Sequence, residues 1–337
     1  MPNAIKYNVS AETLALKKGN FWIGTGDVSK GPTSSTGYYN GITPPSGGYT
    51  IYLNKASGGP SIYTVTTEAQ MVSLTNSIGS QNFTTSGQCL NWFATQTDKM
   101  IFNRDYEGII TNGLVMNLDA GFTPSYPTTE TTWYDVSSTG NNGTLTNGPT
   151  YSSSNGGSIV FDGVDDYVTV SNPSSLLNQN LTVSTWIKPS TATNQISDII
   201  DYDHCGGGPW VLQSEDATTN RYYYFAYITP DGYQPSPGGF GVGRGVQLTN
   251  SVWQNLVFTK NGTSVIGYLN GVQQFSVTAS NGNMTGNGSR PLMLGAGLTC
   301  SNRQFKGDIP IVQIYNRTLS ATEITQNFNA QKGRFGL

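Results

Sequence analysis

Beyond Gly113 the chain alternates apolar and polar positions with a period of two, the repeat of a strand with one buried face. Leu114, Met116 and Leu118 alternate with Val115 and Asn117. Leu181, Val183, Thr185 and Ile187 share one face of a second run, with Trp186 on the other. In RYYYFAYI from Arg221, Tyr222 and Tyr224 fall on one side, Tyr223 and Phe225 on the other. SIVFDGVDDYVTV, residues 158–170, reads as a strand that turns sharply at Asp162-Gly163 and resumes as a second short strand. Asn261-Gly262 and Asn270-Gly271 are hairpin signals, because both central residues of a type I′ turn need positive φ. The stretch 124–156, rich in Thr, Ser, Asn and Gly around Trp133 and Tyr134, reads as a loop. Ser320 caps a closing helix with Glu323 at its third position and Ile324 and Phe328 facing inward. Strands at this spacing without intervening helices predict a mainly β fold of two antiparallel sheets packed as a sandwich.

The first 110 residues have a different texture. Short apolar clusters, Phe21-Trp22-Ile23 and the run from Tyr49 to Leu53, alternate with Gly/Pro/Ser turn clusters. A helix is predicted over 67–78, capped by Thr66 or Thr67, with Glu68 in its first turn and Gly79 ending it. Met71, Leu74 and Ile78 form its apolar stripe. A second helix from Thr85 or Ser86 is expected to carry Cys89, Leu90, Trp92 and Phe93 and to extend toward Met100. The division expected is a small α+β module over 1–110 and a sandwich domain over 113–337.

Composition narrows the function classes. Only 11% of the 337 residues are charged and the net charge is −3, while 19 Tyr, 13 Phe and 6 Trp argue for a packed fold. No basic block exists to neutralise phosphates, so nucleic acid is not an expected partner. No 18-residue apolar run occurs, so no membrane insertion is expected. The first twenty residues hold no signal-peptide core, from which synthesis in a cytoplasm is expected. Eight N-x-S/T sequons carry no weight in so Asn- and Thr-rich a chain. Cys89, Cys205 and Cys300 are too few for a disulfide scaffold, and with the single His204 they lack zinc-motif spacing. On the residues alone they read as free thiols.

The order of features resembles the laminin-G-like branch of the concanavalin-A-like lectin jelly rolls. It runs from SIVFDG through LTVSTWIKPS, RYYYFAYI, VWQNLVFTKNG and the VIGYLNGVQQFSV hairpin to FKGDIPIVQIYNRTLSATEI. The stretch GLVMNLDAGFTPSYPTTETTWYDVSSTGNNGTLTNGPTY before it is similar to a domain recurrent in virion proteins of marine tailed phages. There an N-terminal module is joined by a segment like that of residues 103–111. The resemblance implies a jelly-roll sandwich in a non-enzymatic virion structural protein, a capsid decoration, fibre or tail surface component. Its N-terminal module would meet other virion proteins, its copies would self-associate, and its outer domain would contact subunits or a glycan. The rival readings are a soluble glycan-binding lectin and a polysaccharide-degrading enzyme.

For the enzyme reading the chemistry is thin. The E-x-D-x-E strand signature is absent, with only six Glu in the chain. Asp201 and Asp203 are the nearest approach to a carboxylate pair, sharing a face if their strand continues. His204 and Cys205, as sequence neighbours, are not expected to pair catalytically. The glycine run 238–245 fits no phosphate-loop spacing. No catalytic residue and no obligatory cofactor is expected. The resemblance does imply a candidate calcium site at the sandwich edge, with Asp201, Asp203 and Asn302 as ligands on segments 201–204 and 297–304. It also places Cys205 and Cys300 on those two segments, which implies a disulfide between them. The candidate ligand-surface aromatics are Trp210, Tyr223 and Tyr233.

Overall fold

The computed structural model describes residues 49–53, 61–85, 88–89, 92, 99–103 and 109–337, apart from 123, 138, 172, 192–195, 216–220 and 235–244. The apolar cluster at 21–23 and most of the glycine run at 238–245 lie outside the described residues. The chain divides into two compact units. One is Met1–Ile110 with Phe122–Pro124 and Asn329–Leu337, and the other is Thr111–Gly121 with Ser125–Phe328.

In the first unit, β1 (Tyr49–Leu53) lies between β2 (Ser61–Val65) and β3 (Lys99–Asn103), antiparallel to both. Helix α1 (Glu68–Gly79) begins at Thr67, whose hydroxyl accepts from Gln70 N while the Gln70 side chain returns to the cap backbone. It ends one residue later than predicted, at a left-handed Ser80, with Gly79 still helical. Thr85 and Gln88 form a second capping box, but Met100 belongs to β3 and not to the helix that starts there.

The second unit is the predicted sandwich. One sheet runs β18 (Val272–Thr278), β17 (Ser264–Leu269), β16 (Gln254–Asn261), β10 (Leu181–Pro189), β20 (Lys306–Tyr315), β8 (Ser158–Asp162) and β7 (Thr150–Ser152). β4 (Leu114–Asp119) pairs with the C-terminal half of β20, whose N-terminal half pairs with β8. The other sheet runs β14 (Gly232–Gln234), β13 (Tyr222–Thr229), β12 (Trp210–Ser214), β11 (Asp198–Asp201), β19 (Leu292–Leu294), β9 (Tyr167–Val170), β6 (Gly143–Thr146) and β5 (Thr132–Trp133). β15 (Val246–Gln247) pairs with β13.

Between the layers lies one continuous core, including Leu118, Phe161, Val168, Val183, Leu212, Phe225, Phe258 and Ile314. Full burial of each such side chain stabilises the fold by about 1.5–3 kcal/mol. Part of the outer face of the first sheet is covered too: Trp186 stacks on Phe328 of helix α2 (Ala321–Gln331), ring centroids 5.7 Å apart. One sequence expectation is refined and another changes. The turn at Asp162-Gly163 is a crossing, since β8 and β9 belong to different sheets. The stretch 124–156 is not a plain loop, because it holds β5, β6 and β7 and fully buries Trp133.

Candidate functional site

Strand β11 carries Asp198 and Asp201, three residues apart, which a regular strand would point to opposite faces. A bulge alters this: Asp198 pairs with Gln213, whereas Ile200 pairs with Leu212 and Asp201 with Val211. Ile199 and Ile200 both enter the core, and both acids turn to its far side. After Asp201 the chain leaves the sheet. Asp203 takes a left-handed conformation, φ 49°, and opens a short 3-10 turn over His204–Gly206. Asp201 and Asp203 therefore do not share a strand face, because the strand stops between them. Gly208 closes the turn; a Cβ there would lie 1.6 Å from the Tyr202 carbonyl oxygen, so only glycine fits.

Segment 297–304 closes over this turn. Cys300 is disulfide-bonded to Cys205 across 95 residues of sequence, with Cα atoms 5.6 Å apart. Thr299 donates its hydroxyl to Asp203 Oδ1 at 2.6 Å, and Arg290 Nε lies 2.9 Å from Asp203 Oδ2. Asp201 Oδ1 accepts from the His204 backbone N–H at 2.8 Å and contacts His204 Nδ1 at 2.9 Å. Arg303 Nη1 lies 3.1 Å from His204 Nε2 and donates to Gln213 Oε1 at 2.8 Å. This pattern assigns the ring proton to Nδ1, donated to Asp201, and the acceptor lone pair to Nε2.

Asp198 is the strained member. It is fully buried and neither carboxylate oxygen has a hydrogen-bond partner; Arg303 Nη1, at 3.8 Å, is its ion-pair neighbour. Burial first, then the neighbouring Asp201, pushes its carboxyl up to about 7, against the pull of His204 and Arg303. Gly297 makes this packing feasible. A Cβ there would sit 2.5 Å from Asp198 Oδ2, 2.7 Å from Asp201 Oδ2 and 2.9 Å from Cys300 Cβ.

The three candidate aromatics separate. Trp210 is fully buried in the core, edge-on to Tyr202 at 5.8 Å, and Tyr223 is buried there as well, so neither presents a ligand surface. Strand alternation explains Tyr223, which points inward with Phe225 and Tyr227, while Tyr224 joins Val211 and Ala226 on the opposite face. Trp210 begins β12 on the inward register, although glycines precede it. Tyr233 alone remains, 42% exposed, its hydroxyl donating to the His204 carbonyl at 2.6 Å.

The residues do not fit calcium. Both Asp203 oxygens are taken by Thr299 and Arg290, and Asp201 Oδ1 is taken by His204. Asn302 sits in an exposed left-handed turn. Calcium needs six to eight oxygen donors, and two guanidinium groups stand where some of them would be. His204, which the sequence left without a role, is the hub, and Asp198, Arg290 and Arg303 were missed. The bulge that brings in Asp198 has no local sequence signal beyond the spacing Asp-Ile-Ile-Asp.

No curated protein matches this chain. Domain 4 of the GH43 extracellular arabinanase AbnA from Geobacillus stearothermophilus, in complex with arabinotriose, is 18% identical at a TM-score of 0.48. The alignment covers 64% of this chain and 97% of that one. The receptor-binding domain of botulinum neurotoxin C/D mosaic serotype is 16% identical at a TM-score of 0.50, over 66% of this chain. The binding domain of Paraclostridial Mosquitocidal Protein 1 is also 16% identical, at a TM-score of 0.49 over 65% of this chain. This chain spans about half of each of these two, 52%. The model of the family described as the concanavalin A-like lectin/glucanases superfamily matches residues 162–325. That segment, which holds the whole cluster from Asp198 to Arg303, is a domain of the concanavalin A-like lectin/glucanases superfamily.

Proposed function

We propose that this chain is a non-enzymatic structural protein of a tailed-phage virion, a capsid decoration, fibre or tail surface component. Its sandwich serves as contact surface for neighbouring subunits or a glycan. The observation that carries the non-catalytic reading is the sealing of Asp198 and Asp201. One oxygen of each lies within 4.8 Å of the other, yet both residues are fully buried. Retaining glycosidases need carboxyl groups about 5–5.5 Å apart on either side of an accessible sugar bond. Here Gly297 and Cys300 occupy that access. The large apolar groups exposed around the cluster are the Tyr233 ring and Leu298, 49% exposed, beside exposed Thr299, Ser301 and Asn302. Such groups suit stacking and interface contact.

The virion assignment rests on the likeness of the run from Gly113 to phage virion domains, with residues 1–110 docking onto the particle and copies self-associating. Mass spectrometry of purified particles tests it. Peptides of this chain in stoichiometric amount support the reading, and their absence from intact particles overturns it. Polysaccharide cleavage that is lost in an Asp198→Asn, Asp201→Asn double variant would overturn the non-catalytic part.

A further inference from the structure

We propose that, once the Cys205–Cys300 disulfide is reduced, the two thiolates and His204 Nε2 bind a zinc ion, with water completing the tetrahedron. His204 Nε2 lies 3.5 Å from Cys205 Sγ and 3.7 Å from Cys300 Sγ. Zn–S bonds of about 2.3 Å and Zn–N bonds of about 2.0–2.1 Å give a tetrahedral N···S edge of roughly 3.5 Å. The histidine thus already stands at ligand spacing from both sulfurs.

The surroundings suit a metal in a second way. A zinc-bound histidine ordinarily donates its other ring N–H to a carboxylate, which fixes the tautomer. Asp201 Oδ1 already holds His204 Nδ1 at 2.9 Å, leaving Nε2 as the acceptor; Cys300 Sγ, 3.7 Å from each ring nitrogen, reaches it by side-chain rotation. Arg303 Nη1 now occupies that acceptor and would have to leave it. Asp198, 3.8 Å from the same nitrogen and with both oxygens unpartnered, is placed to receive it. Cys205 is exposed, which gives reductant and ion a route in, while Asp201, His204 and Cys300 are buried.

The chemistry balances with an external dithiol as reductant. Its two sulfurs close to a disulfide while two electrons and two protons pass to Cys205 and Cys300, breaking their bond. The freed sulfurs part to about 3.8 Å by side-chain rotation, the S···S edge of a tetrahedral site. Zinc then displaces both thiol protons, so uptake is favoured by higher pH. The site would exchange a covalent link for a metal link between the same two segments.

The test uses the full chain, reduced with a phosphine under argon, desalted, and titrated with cobalt(II) and then zinc. One equivalent of cobalt should give thiolate charge-transfer and tetrahedral ligand-field bands, both displaced by one equivalent of zinc. The oxidised chain should give neither. His204→Gln and Cys205→Ser should each lose the tetrahedral bands, and Cys89→Ser should keep them. Far-UV circular dichroism on each sample follows the sheets. No metal uptake by the reduced chain, equal uptake by the oxidised chain, or bands unchanged in His204→Gln would each overturn the proposal. So would a reduced chain that unfolds and is not refolded by zinc.

Discussion

Asp198 is a carboxylate buried without a hydrogen-bond partner, and its cost depends on pH. Its ordinary value of 3.8 is raised to about 7 in the folded chain, so between those values the folded state binds the proton more tightly than the unfolded state. Stability from this group is therefore greatest below about pH 4 and falls as pH rises toward 7, by on the order of 4 kcal/mol. Asp198→Asn should remove that slope: in urea unfolding, the variant's stability relative to the parent rises from pH 4 to 7 and then levels off. A difference independent of pH would show that Asp198 is not the titrating group. Gly297→Ala probes the same packing from the other side. A methyl 2.5 Å from Asp198 Oδ2 and 2.7 Å from Asp201 Oδ2 must displace both acids, at a cost of about 1–3 kcal/mol. The expected readout is a lower urea midpoint at unchanged m-value. Legibility at this scale was uneven. Alternation placed Tyr223 and Tyr224 on opposite faces, as found. It gave no means of seeing that Asp198 and Asp201 converge, because one bulged residue reverses every parity argument beyond it.

The element that closes the second unit's sequence, α2, is held at its start by a reciprocal cap. The Ser320 hydroxyl accepts from Glu323 N at 3.3 Å while Glu323 Oε2 accepts from Ser320 N at 2.8 Å. Arg317 adds a two-pronged contact, Nη1 and Nη2 donating to the two Glu323 oxygens at 3.0 and 2.6 Å. These hydrogen bonds, Arg317's first, hold the Glu323 carboxyl down at about 2, against an ordinary 4.5. Stability from this group is thus fully present above about pH 4.5 and is lost as pH falls toward 2. Ser320→Ala should cost about 1 kcal/mol at neutral pH. Glu323→Gln should cost stability at pH 7 and little at pH 2, a comparison that denaturant midpoints at the two pH values can make. This cap was legible because serine, helix start and glutamate lie within four residues. Hairpins were only partly so. Asn270-Gly271 turns as expected, with φ 51° and 78°, but Asn261 stays in β16 opposite Ser264, and the reversal moves on to Gly262-Thr263. Both dipeptides read alike in sequence; pairing on the far strand decides between them.

At the scale of the whole sandwich, strands distant in sequence must find each other. β20 pairs with β4, nearly two hundred residues earlier, as well as with β8 and β10. The two-layer plan was legible because longer strands such as β4, β10 and β13 carry their own alternation. The strand order was not, because pairing is fixed by contacts whose partners no local window contains. The Cys205–Cys300 bond acts on this nonlocality by closing a 95-residue separation. In the chain-entropy model it stabilises the fold by roughly 4–5 kcal/mol through the unfolded ensemble. Reducing it should lower the unfolding free energy extrapolated from urea by that order, and the urea midpoint with it. Metal-free buffer and zinc-containing buffer then separate two accounts of the same pair of thiols. A ligand that binds only the folded state adds stability that grows with the logarithm of its free concentration. If the two thiols and His204 hold zinc, the reduced parent should recover part of the lost midpoint as zinc is raised, and Cys300→Ser should recover none. A reduced parent whose midpoint ignores zinc would leave the disulfide as a covalent staple alone. A reduced parent whose midpoint never fell would mean that the unfolded chain keeps these two segments together without the bond.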